Sequence, residues 1–95
     1  GRITDLRAAQ YGGKILVDLG TDQDALPYLE KAKAAFERCQ HYALGETLFY
    51  LGRAYQGLGD NRRAKEDVTA ALAEFHRLEL RHKAREAQEV LGALA

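Results

Sequence analysis

The chain is poor in cysteine, in proline and in net charge, and each shortage removes a class of explanation. Its single cysteine, Cys39, can close no intrachain disulfide, which fits a reducing compartment, so a cytoplasmic setting is expected. Its single proline, Pro27, is tolerated only in the first turn of a helix, because a helix interior needs the N–H that proline lacks. Lys plus Arg (14) balances Asp plus Glu (14), so no overall field draws the chain to nucleic acid or to an anionic membrane. Any partner must be recognised locally. No apolar run approaches the roughly 20 residues that span a bilayer, and no charged start followed by an apolar stretch marks a signal peptide. Ninety-five residues make one small domain, which buries only about 60 to 65% of the surface its unfolded chain exposes. Its stability margin is thin.

What is present is repetition. Gly13, Leu16, Leu19, Gly20, Ala25, Leu29, Ala32 and Phe36 are followed 39 residues later by Gly52, Tyr55, Leu58, Gly59, Ala64, Val68, Ala71 and Phe75. A third copy begins where Leu91 and Gly92 repeat Leu51 and Gly52 at an offset of 40. Self-similarity at a fixed period is the mark of a repeat array, here about two and a half units. The boundaries expected are about 4–41, 42–81 and a half repeat at about 82–95, within one domain over 1–95. A start at Gly1 rather than Met, and an end inside a repeat, suggest a piece of a longer protein.

Helical periodicity dominates, and Ala, Leu, Glu, Arg and Lys favour it. Five helices are expected, over 4–19, 24–40, 43–58, 62–78 and 83–94, with no strand. Thr4, Asp24 and Asn61 are the expected caps, and Gly20 and Gly59 the helix ends. Ala25, Leu29, Ala32, Phe36 and Cys39 advance by four and three residues along one face, which Ala64, Val68, Ala71, Phe75 and Leu78 repeat. That register makes Cys39 a small buried side chain. Short connections at Gly20 and Gly59 force antiparallel hairpins. Val90, Leu91 and Leu94 of the last helix lack a second helix to cover them, so self-association through that face, or its docking on something outside these residues, is expected.

The run LGRAYQGLGD at 51–60, with Ala64 and Ala71 beyond it, resembles a tetratricopeptide repeat. The period of 39 to 40 exceeds the family's usual 34 residues, and extended repeats of this kind are similar to those in bacterial signalling proteins and large ATP-dependent transcription regulators. The resemblance implies an all-α, right-handed superhelical stack of hairpins, an α-solenoid. It also implies that the first helix of each hairpin lines a concave groove. Carried across by register, the groove positions are Arg7, Glu46 and Glu86 in one row, Gln10, Phe49 and Glu89 in a second, and Lys14, Arg53 and Ala93 in a third, with Gln56 beyond. Phe49, an aromatic between polar equivalents, is expected either to anchor a partner's apolar side chain or to pack against the Tyr11 and Tyr50 region. Some family members grip a chaperone's terminal carboxylate with paired asparagines. This chain has one, Asn61, in a turn, so that role is not expected, although Lys14 and Arg53 could still draw an acidic or phosphorylated segment.

Other chemistry finds little footing. Cys39, His41, His76 and His82 do not have the spacing of a zinc site, and Gly57 and Gly59 follow no strand and so form no phosphate loop. Neither cofactor nor catalytic group is expected. The basic stretch HRLELRHKAR at 76–85 reads as a solvated connection, since RNA recognition by helical repeats needs stacking or base-reading side chains that these rows do not repeat. The sequence therefore points to a non-enzymatic scaffold that binds a peptide segment or partner domain in its groove. The alternative is an internal relay segment of a larger regulator.

Overall fold

The computed structural model describes residues 2–95. They form five helices and, among the described residues, no strand: α1 (Arg2–Asp18), α2 (Asp22–Cys39), α3 (Leu44–Gly57), α4 (Asn61–Arg77) and α5 (Arg81–Leu94). All-α architecture follows from the long 3.6-residue periodicities, and the ends fall within two residues of the expected ones. The caps differ. Thr4 lies inside α1, α2 begins at Asp22 behind Thr21 rather than behind Asp24, and Asp60, not Asn61, caps α4 by accepting from the Arg63 N–H at 3.2 Å. Thr21 instead turns its hydroxyl back to donate to the Leu16 carbonyl at 2.8 Å. This earlier start leaves Pro27 inside α2, just past the first turn, at the loss of one backbone hydrogen bond.

Each of the first four helices ends the same way. Gly20, Gln40, Gly59 and Glu79 have positive φ (80°, 50°, 82° and 58°), and the residue after each donates its N–H to a carbonyl five residues back. Those bonds are Thr21 to Leu16 (2.8 Å), His41 to Phe36 (3.1 Å), Asp60 to Tyr55 (2.9 Å) and Leu80 to Phe75 (2.8 Å). This left-handed closure satisfies the last carbonyls and reverses the chain within a few residues.

The reversal makes α1–α2 and α3–α4 antiparallel hairpins, and glycine sets how closely they close. A methyl group at Gly13 would sit 2.6 Å from Leu29 Cγ; one at Gly45 would sit 2.9 Å from Phe75 Cε1, and one at Gly52 would overlap Val68 Cγ2. Early α3 thus meets late α4, and the Gly13 contact recurs at Gly52 at the sequence period. Ala25, Leu29, Ala32 and Phe36 of α2 are fully buried, and so are Ala64, Val68 and Ala71 of α4, with Phe75 at 3% exposure. α2 packs on α1 and α3, α4 on α3 and α5, while α3 also touches α1 and α5 directly. The result is two staggered layers, α1, α3 and α5 in one and α2 and α4 in the other.

Two expectations about burial fail here. Cys39 is exposed, because α2 stops at that residue and the chain turns away before its side chain meets a neighbour. The apolar side of α5 is covered: Leu94 is buried at 7%, and Val90 and Leu91 pack half-buried against the core. In repeat register, the positions that would meet a further helix are Arg85, Gln88 and Gly92, the counterparts of Gly45, Leu48 and Gly52. All three are exposed.

Candidate functional site

The layer built from α1, α3 and α5 presents a surface of exposed and half-buried polar and aromatic side chains. On α1, Arg7, Tyr11, Lys14 and Asp18 recur at four- and three-residue steps and so share one face. Glu46, Tyr50 and Arg53 do the same on α3, and on α5 adjacent His82 and Lys83 stand four and three residues before Glu86. These groups meet across the helices. The Arg7 guanidinium lies over the Tyr42 ring at 5.1 Å and over Tyr11 at 5.0 Å, and it also donates to the Tyr11 hydroxyl. Lys14 Nζ lies 5.6 Å from the Tyr50 ring centre, and Arg53 approaches Asp18 at 3.7 Å. Lys83 reaches Glu46 at 3.5 Å, and His82 meets Glu86 at 2.9 Å. Between α3 and α5 lies a cleft of about 180 Å³ with Phe49, Tyr50 and Phe75 in its wall and Glu46, Lys83 and Glu86 among its polar groups. Three helices thus share one polar and aromatic surface.

Arg7, Lys14, Glu46, Arg53 and Glu86 of the sequence-derived rows come together on this surface. The second row does not. Gln10 is 1% exposed and donates through Nε2 to the Ala43 carbonyl at 3.3 Å, with its Oε1 unpartnered. Phe49 is 7% exposed, edge-on to Tyr50 at 5.6 Å and tilted against Phe75 at 6.3 Å, so it belongs to the core rather than to a partner. The cause is angular: a step of three residues from Arg7 or Glu46 turns a side chain about 60° around the helix, into the seam with the following hairpin. Glu89, in the same row, is exposed. Gln56 is half-buried in the last turn of α3; neither it nor Glu89 makes a side-chain hydrogen bond or ion pair among the described residues. The register reading missed Tyr11, Tyr42, Tyr50, Asp18 and Lys83. One signal was available, since Tyr11 and Tyr50 are 39 residues apart.

Electrostatics fixes the protonation of the central pair. The neighbouring Tyr50 raises the Lys14 ammonium above its ordinary value, and burial raises the Tyr50 phenol despite the lowering pull of Lys14. Lys14 is therefore a cation, and Tyr50 neutral, throughout the physiological range.

A second polar group ties the layers together on the other side. Tyr55 donates its hydroxyl to Glu30 at 2.8 Å, Arg63 lies over its ring at 5.6 Å, and Lys33 binds Asp67 at 3.2 Å. Burial, with the Glu30 hydrogen bond, pushes the Tyr55 phenol up to about 12. Burial also raises the Asp67 carboxyl, more than Lys33 lowers it. Burial would lower Lys33, but the bond to Asp67 and the charges of Asp67, Glu30 and Glu37 outweigh it and raise the ammonium. These groups fasten α2 of one hairpin to α3 and α4 of the next. Such a cluster is a clasp, with each polar group answered by another.

The sequence matches no protein-family model, and no curated protein or solved structure proves similar to it. Two more observations bear on the chemistry. No helix is long and apolar enough to cross a membrane, and no three His, Cys, Asp or Glu side chains gather as metal ligands would, both among the described residues.

Proposed function

We propose that this chain is a helical-repeat scaffold of the tetratricopeptide type that binds a segment of a protein partner, without catalysis, across the layer formed by α1, α3 and α5. The observation that supports this is the continuity of that face. Lys14 on Tyr50, Arg53 with Asp18 and Lys83 with Glu46 link three helices into one continuous surface of half-buried and exposed side chains. Because the helices are already packed, the surface is ordered before a partner arrives, and most of the ordering entropy falls on the partner. Arg53 lies in the middle helix, where a bound segment shields it best from water.

Selection from a random peptide library, followed by mapping of backbone amide shifts with the selected peptide, tests the reading. Shifts should cluster on α1, α3 and α5. Arg53→Ala should weaken binding by about 1 to 2 kcal/mol while changing stability by about 0.5 kcal/mol or less. Lys65→Ala, on an exposed part of α4, should leave binding unchanged. Shifts confined to α2 and α4 would refute the proposed face. Glu30 does not serve as a control of this kind, because it accepts the Tyr55 hydrogen bond of the clasp.

A further inference from the structure

Charge on the binding face is not evenly answered. Arg53 has Asp18 and Lys83 has Glu46 within 4.0 Å, whereas Arg7 and Lys14 have no carboxylate at that distance among the described residues. Both cations rest on tyrosine rings instead. The carboxylates that influence Lys14, Glu46 and Asp18, are already engaged with Lys83 and Arg53. Arg7 carries a further mark of incompleteness, since its Nη1 is out of contact with water and has no acceptor. A desolvated donor without a partner is costly, and a charged acceptor relieves that cost most effectively. Tyr42, which covers this guanidinium and stacks on His41, is 65% exposed in the connection between α2 and α3, so a ligand reaches the guanidinium by displacing that ring from these two contacts.

Resting on the proposed binding face, we infer that the Arg7–Lys14 edge of α1 takes two acidic side chains from one extended peptide segment. Geometry sets their spacing. Seven residues of helix rise about 10.5 Å, and a peptide in the polyproline II conformation, with three residues per turn and about 3.1 Å per residue, brings every third side chain to the same face at about 9 Å. The pattern is therefore acidic–x–x–acidic. Tyr11 lies between the two cations and is 48% exposed, so its ring offers a surface to an apolar residue at one of the intervening positions. Arg7 contributes a planar fork suited to a carboxylate, and Lys14 a point charge held in place by Tyr50.

Fluorescence anisotropy with three labelled peptides, carrying Glu-Leu-Ala-Glu, Gln-Leu-Ala-Gln or Lys-Leu-Ala-Lys in identical Gly/Ser flanks, provides the test. The acidic peptide should bind about tenfold or more tighter than its glutamine counterpart, an advantage that shrinks as salt is raised. Lys14→Gln should remove most of that advantage and Lys14→Arg retain it, with Lys65→Gln as the unchanged control. Arg7→Gln should act as Lys14→Gln does; because Arg7 packs on Tyr42, Lys14→Gln decides the matter if the Arg7 variant melts early. Equal binding of acidic and glutamine peptides, or an advantage that survives Lys14→Gln, overturns the inference, as does displacement of the acidic peptide by oligouridylate at lower concentration. If the glutamine or lysine peptide binds best and shifts α1, α3 and α5 amides, the acidic pattern is wrong while the binding face stands. If the bound peptide shifts only α2 and α4, both are wrong.

Discussion

Gly12 and Gly13 stand side by side in α1, and their surroundings are opposite. A methyl group at Gly12 meets nothing within 4 Å, whereas Gly13 lies under Leu29 and its counterpart Gly52 under Val68 and the Ala64 carbonyl. Gly12→Ala should therefore stabilise the protein by up to about 1 kcal/mol, through helix propensity alone. Gly52→Ala should destabilise it by about 1 to 3 kcal/mol through overpacking. Urea titrations of the two variants read the difference directly, and a common sign would contradict the glycine seam. Phe49 makes a second case at this scale. With its ring buried against Tyr50 and Phe75, Phe49→Ala should cost about 3 to 5 kcal/mol, a large share of the stability of so small a domain. A thermal melt unchanged from wild type would return the ring to the surface.

At the scale of the element, the helix ends reveal what sequence could and could not say. Gly20 and Gly59 mark two of them openly. Gln40 and Glu79 adopt the same left-handed conformation without being glycine, so nothing in their identity announced a turn. A left-handed residue other than glycine costs roughly 1 to 2 kcal/mol, and an acid at a helix C-terminus adds an unfavourable charge. Glu79→Gly should accordingly raise stability by about 1 kcal/mol, less the entropy glycine adds to the unfolded chain, measurable as a higher melting temperature. The five helices were legible because their apolar stripes are long and regular. The caps were less so, since Asp22, Asp24, Asp60 and Asn61 crowd the same turns and side-chain type alone does not choose among them. The face proposed to bind a partner was legible through Arg7, Lys14, Glu46, Arg53 and Glu86. Gln10 and Phe49 were misplaced because repeat register records equivalence between hairpins, not which side of the helix a neighbour will occupy. Lys83 and Asp18 were missed because each matters only through a partner on another helix.

For the whole molecule, the joint between the hairpins depends on long side chains as well as on the core. α2 and α4 are not packing neighbours, yet Lys33 and Asp67 connect them. The Asp67 carboxyl titrates above its ordinary 3.8 in the fold. Between the unfolded and folded values the native state therefore holds more protons than the unfolded chain, so this group's contribution to stability increases as pH falls through that window. Wild type should gain on Asp67→Asn between neutral pH and a pH below 3.8 in paired denaturation curves. A constant difference would mean that burial does not govern this carboxyl.

The same layered arrangement sets a timescale. Every interface joins helices that are adjacent or next-but-one in the chain, so only short loops need close and the contact order is low. All-helical domains of that kind fold in microseconds to milliseconds. The α3–α4 hairpin has the broadest interface and is the natural nucleus, onto which α5 zips from one side and α1–α2 from the other. α1 is held less extensively than α3, and its opening and closing runs faster than that of the centre. A peptide seated along Arg7 and Lys14 would slow that opening, so hydrogen exchange in α1 should fall on binding well before any change registers in α3.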